Sequence, residues 1–303
     1  MISVPWRTSG ARLQLPRDLE IAYVAGRMGL VAIADVFPIW YGSPHTCRFG
    51  FGRLVRLGLL RRLPRPNVIS PAWFSLTGRG LVWTAERAGC DEHELRTVAS
   101  SRDFTLGSLS LRNRFWTSLI LSSRRCPEIC LDRFSPEWEL RPMRPADVHV
   151  VPDAIVSLSR PVVTGERRCV WIVEVDNTTE RIAVWRRKAA QYAELRSRGR
   201  LYGYPDWRLL AIVPSLRRAR SVSAAVSEGG GGAFGYVGVA NTLEAGQAFE
   251  PVVWLCSELA NAPDAQPTVS LTEKLTEPIA RADQRDRSTV DRSPSAETGA
   301  ITP

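Results

Sequence analysis

The residues best suited to chemistry lie in the central part of the chain. Asp153 follows a short apolar segment, and Glu174 and Asp176 end a run of β-branched and aromatic residues. Lys188 and Tyr192 come next, four positions apart in a segment with helical spacing, so they share one helix face. Because the two apolar segments are predicted to be adjacent strands, we expect these side chains to converge near the strand ends.

Such a group of side chains is suited to metal-assisted hydrolysis of phosphodiesters. Hard divalent cations such as Mg²⁺ or Mn²⁺ bind a few carboxylate oxygens together with water. We predict that Asp153 and Glu174 hold the cation, while the ammonium of Lys188 orients the attacking water or stabilises developing charge. The alternative is structural: Asp153 caps a turn, Glu174 pairs with an arginine, and Lys188 is a solvated helix residue.

Lysine usage favours the catalytic interpretation. Of the 40 basic residues only Lys188 and Lys274 are lysines, and Lys274 lies in a segment without signs of a fold. A compact ammonium and a planar guanidinium are not interchangeable at a site. A lysine beside carboxylates in an arginine-rich chain therefore indicates a specific role for Lys188. The alternative is that lysine occurs at this position by chance.

Length and charge narrow the class of protein. A chain of 303 residues predicts two domains. Its net charge is +9, and because residues 258–303 hold eight acidic and five basic side chains, the remainder carries +12. A body this basic suits a polyanion, and double-stranded DNA is the predicted partner. Since neither a membrane span nor a signal peptide is visible, we expect a cytoplasmic protein without membrane contact.

The six cysteines show no metal-binding pattern. Cys126 and Cys130 are the nearest pair, and neither a second pair nor a histidine follows at zinc-finger spacing. We therefore expect reduced thiols.

The N-terminal part predicts a winged-helix domain over residues 13–88. Helices over Pro16–Met28, Val31–Trp40 and Pro44–Leu57 precede two strands with basic positions. In this arrangement the third helix, whose apolar side includes Phe49, enters the major groove and the strands lie on the phosphate backbone. A protein-docking module of the same topology is the alternative. The candidate DNA contacts are His45, Thr46, Arg48, Arg53, Arg56, Arg61, Arg62 and Arg65.

The C-terminal part predicts an α/β (α+β) sheet domain over residues 106–256, reached through a mobile connection over residues 89–105. Residues 257–303 contain no aromatic side chains and are predicted to be a disordered tail. Outside the central stretch, the domain is predicted to have a helix at Leu106–Ser123 and strands at Pro136–Met143, Trp207–Pro214, Gly235–Asn241 and Pro251–Leu255.

Two sequence blocks together resemble a known family. The first is RLVRLGLL with FSLTGRG, and the second is PDAIV, then VWIVEVDNTTE, then KAAQY. In this order they resemble the replication-relaxation family of plasmids and integrated mobile elements, over roughly Pro16–Pro214. The second block also resembles the PD-(D/E)xK nuclease superfamily. The resemblance implies a winged-helix domain followed by a restriction-endonuclease-like domain.

The nuclease resemblance implies roles for the central residues. Asp153 matches the aspartate of the PD motif, and Glu174 matches the acidic residue of the second motif, so both would be metal ligands. Asp176 stands where many of these nucleases have lysine, and it is a further candidate catalytic residue. Lys188 would supply that lysine from the following helix, and Tyr192 resembles the tyrosine that follows it in RecB-like nucleases.

One part of the nuclease pattern is missing. The predicted helix Leu106–Ser123 contains no Asp or Glu, so Asn113 or Glu139 would have to replace the acid of that helix.

The resemblance implies a plasmid or mobile-element DNA-binding protein that nicks DNA with Mg²⁺ or Mn²⁺. The alternative is a non-catalytic winged-helix regulator whose nuclease-like domain is a binding or dimerisation scaffold. A docking partner of replication or relaxase proteins is the third interpretation, and a homodimer is compatible with each.

Overall fold

The computed structural model shows a mixed α+β fold, as predicted, with a three-stranded and a seven-stranded sheet. The smaller sheet belongs to the N-terminal part and the larger sheet to the C-terminal part. The residues that the structure describes are 17–64, 71–98, 106–146, 148–162, 165–178, 180–240, 248, 251–261, 267 and 269–272.

The N-terminal part places helices around a small antiparallel sheet of order β1-β3-β2. The predicted second helix is interrupted: β-branched Val31 pairs with Phe74 as a strand, and a 3-10 turn at Phe37–Ile39 follows a single helical turn. The elements are α1 (Arg17–Met28), β1 (Val31–Ala32), α2 (Ile33–Val36), α3 (Pro44–Arg56), β2 (Leu60–Arg62), β3 (Trp73–Leu76) and α4 (Gly78–Ala88).

Local sequence signals explain where the longer helices begin and end. Ser43 accepts a hydrogen bond from the Thr46 amide at the start of α3, directly before a proline in the first turn. Thr77 caps α4 in the same way, and Gly89 ends it in the left-handed conformation at φ 65°.

The C-terminal part contains the larger sheet, of order β10-β9-β8-β7-β6-β5-β4. Strands β6, β7 and β8 run parallel and are joined through helices α7 and α8, whereas the other neighbouring pairs are antiparallel. The elements are α5 (Leu106–Arg125), β4 (Cys130–Pro136), α6 (Glu137–Leu140), β5 (Ala154–Val162), β6 (Gly165–Val175), α7 (Ile182–Ser197), β7 (Arg208–Val213), α8 (Leu216–Glu228), β8 (Gly235–Val239), β9 (Pro251–Leu255), α9 (Cys256–Asn261) and β10 (Val269–Ser270).

The larger sheet separates two apolar cores. Trp171 and Val173 of β6 belong to the core that α5 shares, while Ile172 belongs to the core under α7 and α8. This is the alternation predicted for the strand, and it puts Glu174 on the α7 side of the sheet.

The N-terminal and C-terminal parts share one continuous core. The same cluster of buried side chains runs from Phe51 of α3 through Phe115 of α5 to Trp171 of β6. Polar contacts reinforce this junction: the amide of Asn113 donates to the Leu30 carbonyl at 3.0 Å, and the indole N–H of Trp138 donates to the Arg27 carbonyl at 3.0 Å.

The segment predicted as a mobile connection is packed over residues 89–98. It forms a 3-10 turn at Glu92–Glu94, buries Leu95 and Val98, and donates from the Arg96 amide to the Gly26 carbonyl at 3.0 Å. The prediction is corrected there because apolar side chains anchor the segment against α1. Residues 99–105 lie outside the described residues.

Two further boundaries differ from prediction. The edge strand is Cys130–Pro136, while the segment predicted as a strand begins with the helical turn Glu137–Leu140. Ordered structure also continues past residue 256, because α9 buries Leu259 and β10 pairs with β9. Residues 273–303 of the predicted tail lie outside the described residues.

The six cysteines, all at described positions, are free thiols. Among the described helices, none has the length and apolarity needed to cross a membrane.

Candidate functional site

Strands β5 and β6 bring the two predicted metal-binding carboxylates together. Their antiparallel register pairs Ala154 with Val173, which places Asp153 beside Glu174 at the sheet edge. The Val175 amide donates to Asp153 Oδ2 at 2.7 Å and holds that carboxylate next to the end of β6. The predicted convergence of these two side chains is therefore present.

Helix α7 adds the predicted lysine and tyrosine to Glu174. Lys188 Nζ donates to Glu174 Oε2 at 2.8 Å, and the Tyr192 hydroxyl donates to Glu174 Oε1 at 2.6 Å. Lys188 also contacts Glu180 Oε1 at 2.7 Å. Because Lys188 and Tyr192 are one helical turn apart, they lie on one face of α7 and donate to both oxygens of the Glu174 carboxylate.

Burial and neighbouring charges together determine the protonation of this cluster. Glu174 is 2 % exposed, and burial raises its pKa from 4.5 to about 7 against the opposing attraction of Lys188. Burial alone would lower the pKa of Lys188, but the charge of Glu174 and hydrogen bonds to Glu174 and Glu180 raise it. Burial also raises the pKa of Asp153, partly offset by the Val175 amide. Lys188 is therefore an ammonium at neutral pH, and Glu174 titrates near neutrality.

Asp176 lies apart from this cluster. Its carboxylate accepts from the Trp185 indole N–H at 2.8 Å and from Arg218 Nε at 2.7 Å, and it is buried. Arg218 also donates to the Glu180 carbonyl at 2.5 Å. Asp176 thus ties β6 to α7 and α8, a structural arrangement that differs from the catalytic role predicted for it.

The carboxylates open onto a cavity of about 860 Å³. Asp153, Glu174, Glu180 and Lys188 form one wall, and side chains of α5, α6 and the segment after α4 form the other. Tyr192 is fully buried behind Glu174 and supports the wall from inside. The opposite wall includes Leu95, Arg96, Ser108, Leu109, Arg112, Glu137, Trp138 and Arg141.

Arg112 is a buried cavity residue that the sequence pattern did not predict. It is 8 % exposed and donates to the Met28 carbonyl at 3.2 Å. The spacing of apolar residues could have predicted this burial, because Arg112 follows Leu109 by three positions and so lies on the same buried face of α5. Neither predicted replacement for the missing acid reaches the cavity: Asn113 bonds to Leu30, and Glu139 pairs with Arg27.

The two carboxylates can provide the protein ligands of a divalent cation. Mg²⁺ is commonly held by one or two carboxylates plus water and phosphate oxygens. Each Glu174 oxygen accepts one hydrogen bond from protein and so retains acceptor capacity. Asp153 and Glu174 fit this minimal donor set, although the described residues contain no cluster of three or more His, Cys, Asp or Glu side chains arranged for a metal.

The predicted DNA-contact residues lie mainly on the exposed side of α3 and on β2. Within the described part of the chain, Arg48, Arg56 and Arg62 are exposed and form no ion pair. His45 is exposed, and its ring packs edge-on against Phe49 at 5.1 Å. Phe49 itself is 66 % exposed, so its predicted position on the apolar side is wrong.

Four candidate contacts have other surroundings. Arg53 pairs with Asp18 at 2.5 Å, and the Thr46 hydroxyl donates to the Ser43 carbonyl at the start of α3. Arg61 is half-buried on β2. Arg65 lies outside the described residues.

One protein-family model matches the part of the chain that contains this site. The model of the family described as replication-relaxation matches residues 39–204, more than half of the chain. The chain belongs to the replication-relaxation family. The matched range contains both α3 and the cluster from Asp153 to Tyr192, and membership suggests a role related to replication of a plasmid or mobile element. No curated protein and no solved structure gave a significant match.

Proposed function

We propose that this member of the replication-relaxation family binds double-stranded DNA and hydrolyses a phosphodiester bond in the cavity beside Glu174. The observation that carries the proposal is the meeting of Asp153, Glu174 and Lys188 on one cavity wall. A cavity of about 860 Å³ has room for a nucleotide and its phosphates.

The protein groups have distinct parts in this proposal. Asp153 and Glu174 would hold Mg²⁺ or Mn²⁺, which when bound supplies Lewis-acid polarisation of a phosphate. The Lys188 ammonium lies 2.8 Å from Glu174 and faces the same cavity, where it stabilises negative charge that develops on the phosphate. Glu180 fixes the position of Lys188, and Tyr192 fixes that of Glu174.

The N-terminal part supplies the DNA contacts in this proposal. The exposed arginines Arg48, Arg56 and Arg62 present cations from α3 and β2, as a winged-helix DNA-binding module requires. Exposed arginines without an ion pair can contact DNA phosphates, and the net charge of +9 suits a polyanionic partner.

A second function is favoured by the hydrogen bonds around Glu174. Both oxygens of this carboxylate are engaged by protein donors. A carboxylate that protein donors already hold at both oxygens can be stable in the fold without a metal ion, which suits a DNA-binding regulator whose sheet domain is a scaffold for binding or dimerisation.

The test is nicking of supercoiled plasmid with Mg²⁺ or Mn²⁺, against EDTA. Asp153→Asn, Glu174→Gln and Lys188→Ala should each lower the nicking rate by at least about 100-fold, the scale of removing a group that stabilises transition-state charge. Arg187→Ala is the matched control, because Arg187 is the exposed basic neighbour of Lys188 on α7.

The two functions predict different results. Metal-dependent nicking that the three variants lose, and the control retains, supports hydrolysis. Salt-sensitive DNA binding without nicking, equal in all variants, supports the regulator and refutes hydrolysis.

A further inference from the structure

The guanidinium of Arg112 is a buried cation without a matching anion. Its side chain is 8 % exposed, yet no salt bridge within 4.0 Å joins it to an acid of the described chain. A buried charge is costly unless it is paired and hydrogen-bonded. The position therefore calls for a partner that the protein itself does not supply.

Most donors of Arg112 are unused. A guanidinium has five N–H donors in a planar fork. Among the described residues Arg112 makes one hydrogen bond, to the Met28 carbonyl, and its buried Nε has no partner. The remaining donors belong to a side chain that lines the 860 Å³ cavity.

The surroundings define the missing ligand. Burial lowers the pKa of Arg112, and the charges of Asp153 and Glu137 oppose that shift without forming an ion pair with it. Glu137 is instead engaged by Arg141 at 2.5 Å. A planar guanidinium with unused donors, on a side chain that lines a polar cavity, matches a phosphate group, which accepts two parallel hydrogen bonds from arginine.

We infer that Arg112 is a positioning residue that holds a backbone phosphate of the DNA strand inside the cavity, opposite Asp153 and Glu174. This inference rests on the proposed DNA binding of the protein, but it does not require cleavage. It makes α5 part of the DNA-binding surface, in addition to α3 and β2.

Inorganic phosphate is the first probe, with the midpoint of thermal unfolding as the readout at constant ionic strength and without metal. Phosphate should raise the midpoint of the native protein, since a ligand that binds only the folded state stabilises it. Arg112→Gln and Arg112→Lys should lose most of this rise, because neither side chain retains the bidentate fork. Arg124→Gln is the control: Arg124 is an exposed arginine of the same helix that donates to the Ile39 carbonyl and does not line the cavity.

Binding of a DNA duplex is the second measurement, again without metal. Arg112→Gln should reduce the slope of log affinity against log salt by about one, the contribution of one phosphate contact, whereas Arg124→Gln leaves it unchanged. Arg112→Lys should keep the slope because it keeps the charge.

Defined outcomes would overturn the inference. The inference is overturned if the unfolding midpoint of the native protein does not respond to phosphate, or if the Arg112→Gln protein responds as the native protein does. A full response in Arg112→Lys refutes the bidentate contact. A phosphate response that depends on Arg112 with an unchanged DNA slope in Arg112→Gln assigns the site to a small phosphate and refutes the DNA assignment. Absence of nicking in the plasmid assay refutes hydrolysis alone and leaves these results standing.

Discussion

Replacing Glu174 by glutamine should change how the stability of the protein depends on pH. The pKa of Glu174 is raised from 4.5 to about 7, chiefly by burial. Between these values the folded protein keeps the proton that the unfolded chain has released. The free energy of unfolding therefore falls as pH rises through this window, and it stays high below about pH 4.5.

The size of the effect follows from the shift. Each pKa unit corresponds to about 1.4 kcal/mol, so a shift from 4.5 to about 7 corresponds to about 3 kcal/mol. Glutamine does not titrate but can still accept from Lys188 or Tyr192. Asp153, whose pKa is also raised by burial, remains in the variant. The free energy of unfolding of the variant therefore still depends on pH, but less strongly.

The assay is urea unfolding of the native protein and Glu174→Gln in EDTA, at several values between about pH 4 and pH 8. The native protein should lose about 3 kcal/mol relative to the variant across this range. Glu194→Gln serves as the control, because Glu194 is an exposed acid of the same helix. Parallel curves for native and Glu174→Gln would refute the assignment of the buried, proton-binding carboxyl to Glu174.

Three other changes test the fold and the DNA-binding surface. Gly80→Ala should destabilise the protein by at least about 2 kcal/mol in urea unfolding, because the new Cβ would lie 1.9 Å from a backbone oxygen, while Gly78→Ala, which meets nothing within 4 Å, should be nearly neutral. Asn113→Leu should cost about 1–3 kcal/mol by leaving a buried carbonyl unpaired, and an unchanged denaturation midpoint would contradict this. Loss of Arg48 or Arg56 should each reduce the salt slope of duplex binding by about one, measured by fluorescence anisotropy, whereas unchanged slopes would exclude α3 from the phosphate contacts.

Periodicity was sufficient to predict the centre of the site. Alternation along β6 put Glu174 on one face of the sheet, and helical spacing put Lys188 and Tyr192 on one face of α7. Both patterns depend only on residues close in sequence. The strongly apolar neighbours of Glu174 also require β6 to be buried in the sheet. The contact of both α7 side chains with one carboxylate followed from these two patterns.

Sequence reasoning failed where a long-range contact decides the outcome. Asp176 follows the same alternation as Glu174, but its partners Trp185 and Arg218 come from two helices, and no local pattern predicts such an encounter. Arg112 was missed because the other wall of its cavity is built from a distant part of the chain. Phe49 was predicted on the apolar side of α3 because it is aromatic, but it is exposed in the structure. The spacing of apolar residues along a helix does not distinguish one exposed aromatic side chain from a buried one.

The core that runs without a break from α3 through α5 to β6 also bears on how such a protein evolves. A module that buries its own apolar surface can be exchanged between genes and still fold beside a new neighbour. Here, cutting the chain before α5 would strip the first half of the side chains that cover its inner surface, and would expose Phe115 and Trp116 on the second half. We therefore expect that neither half folds well beside an unrelated neighbour, so the two halves are expected to be exchanged between genes only as one unit.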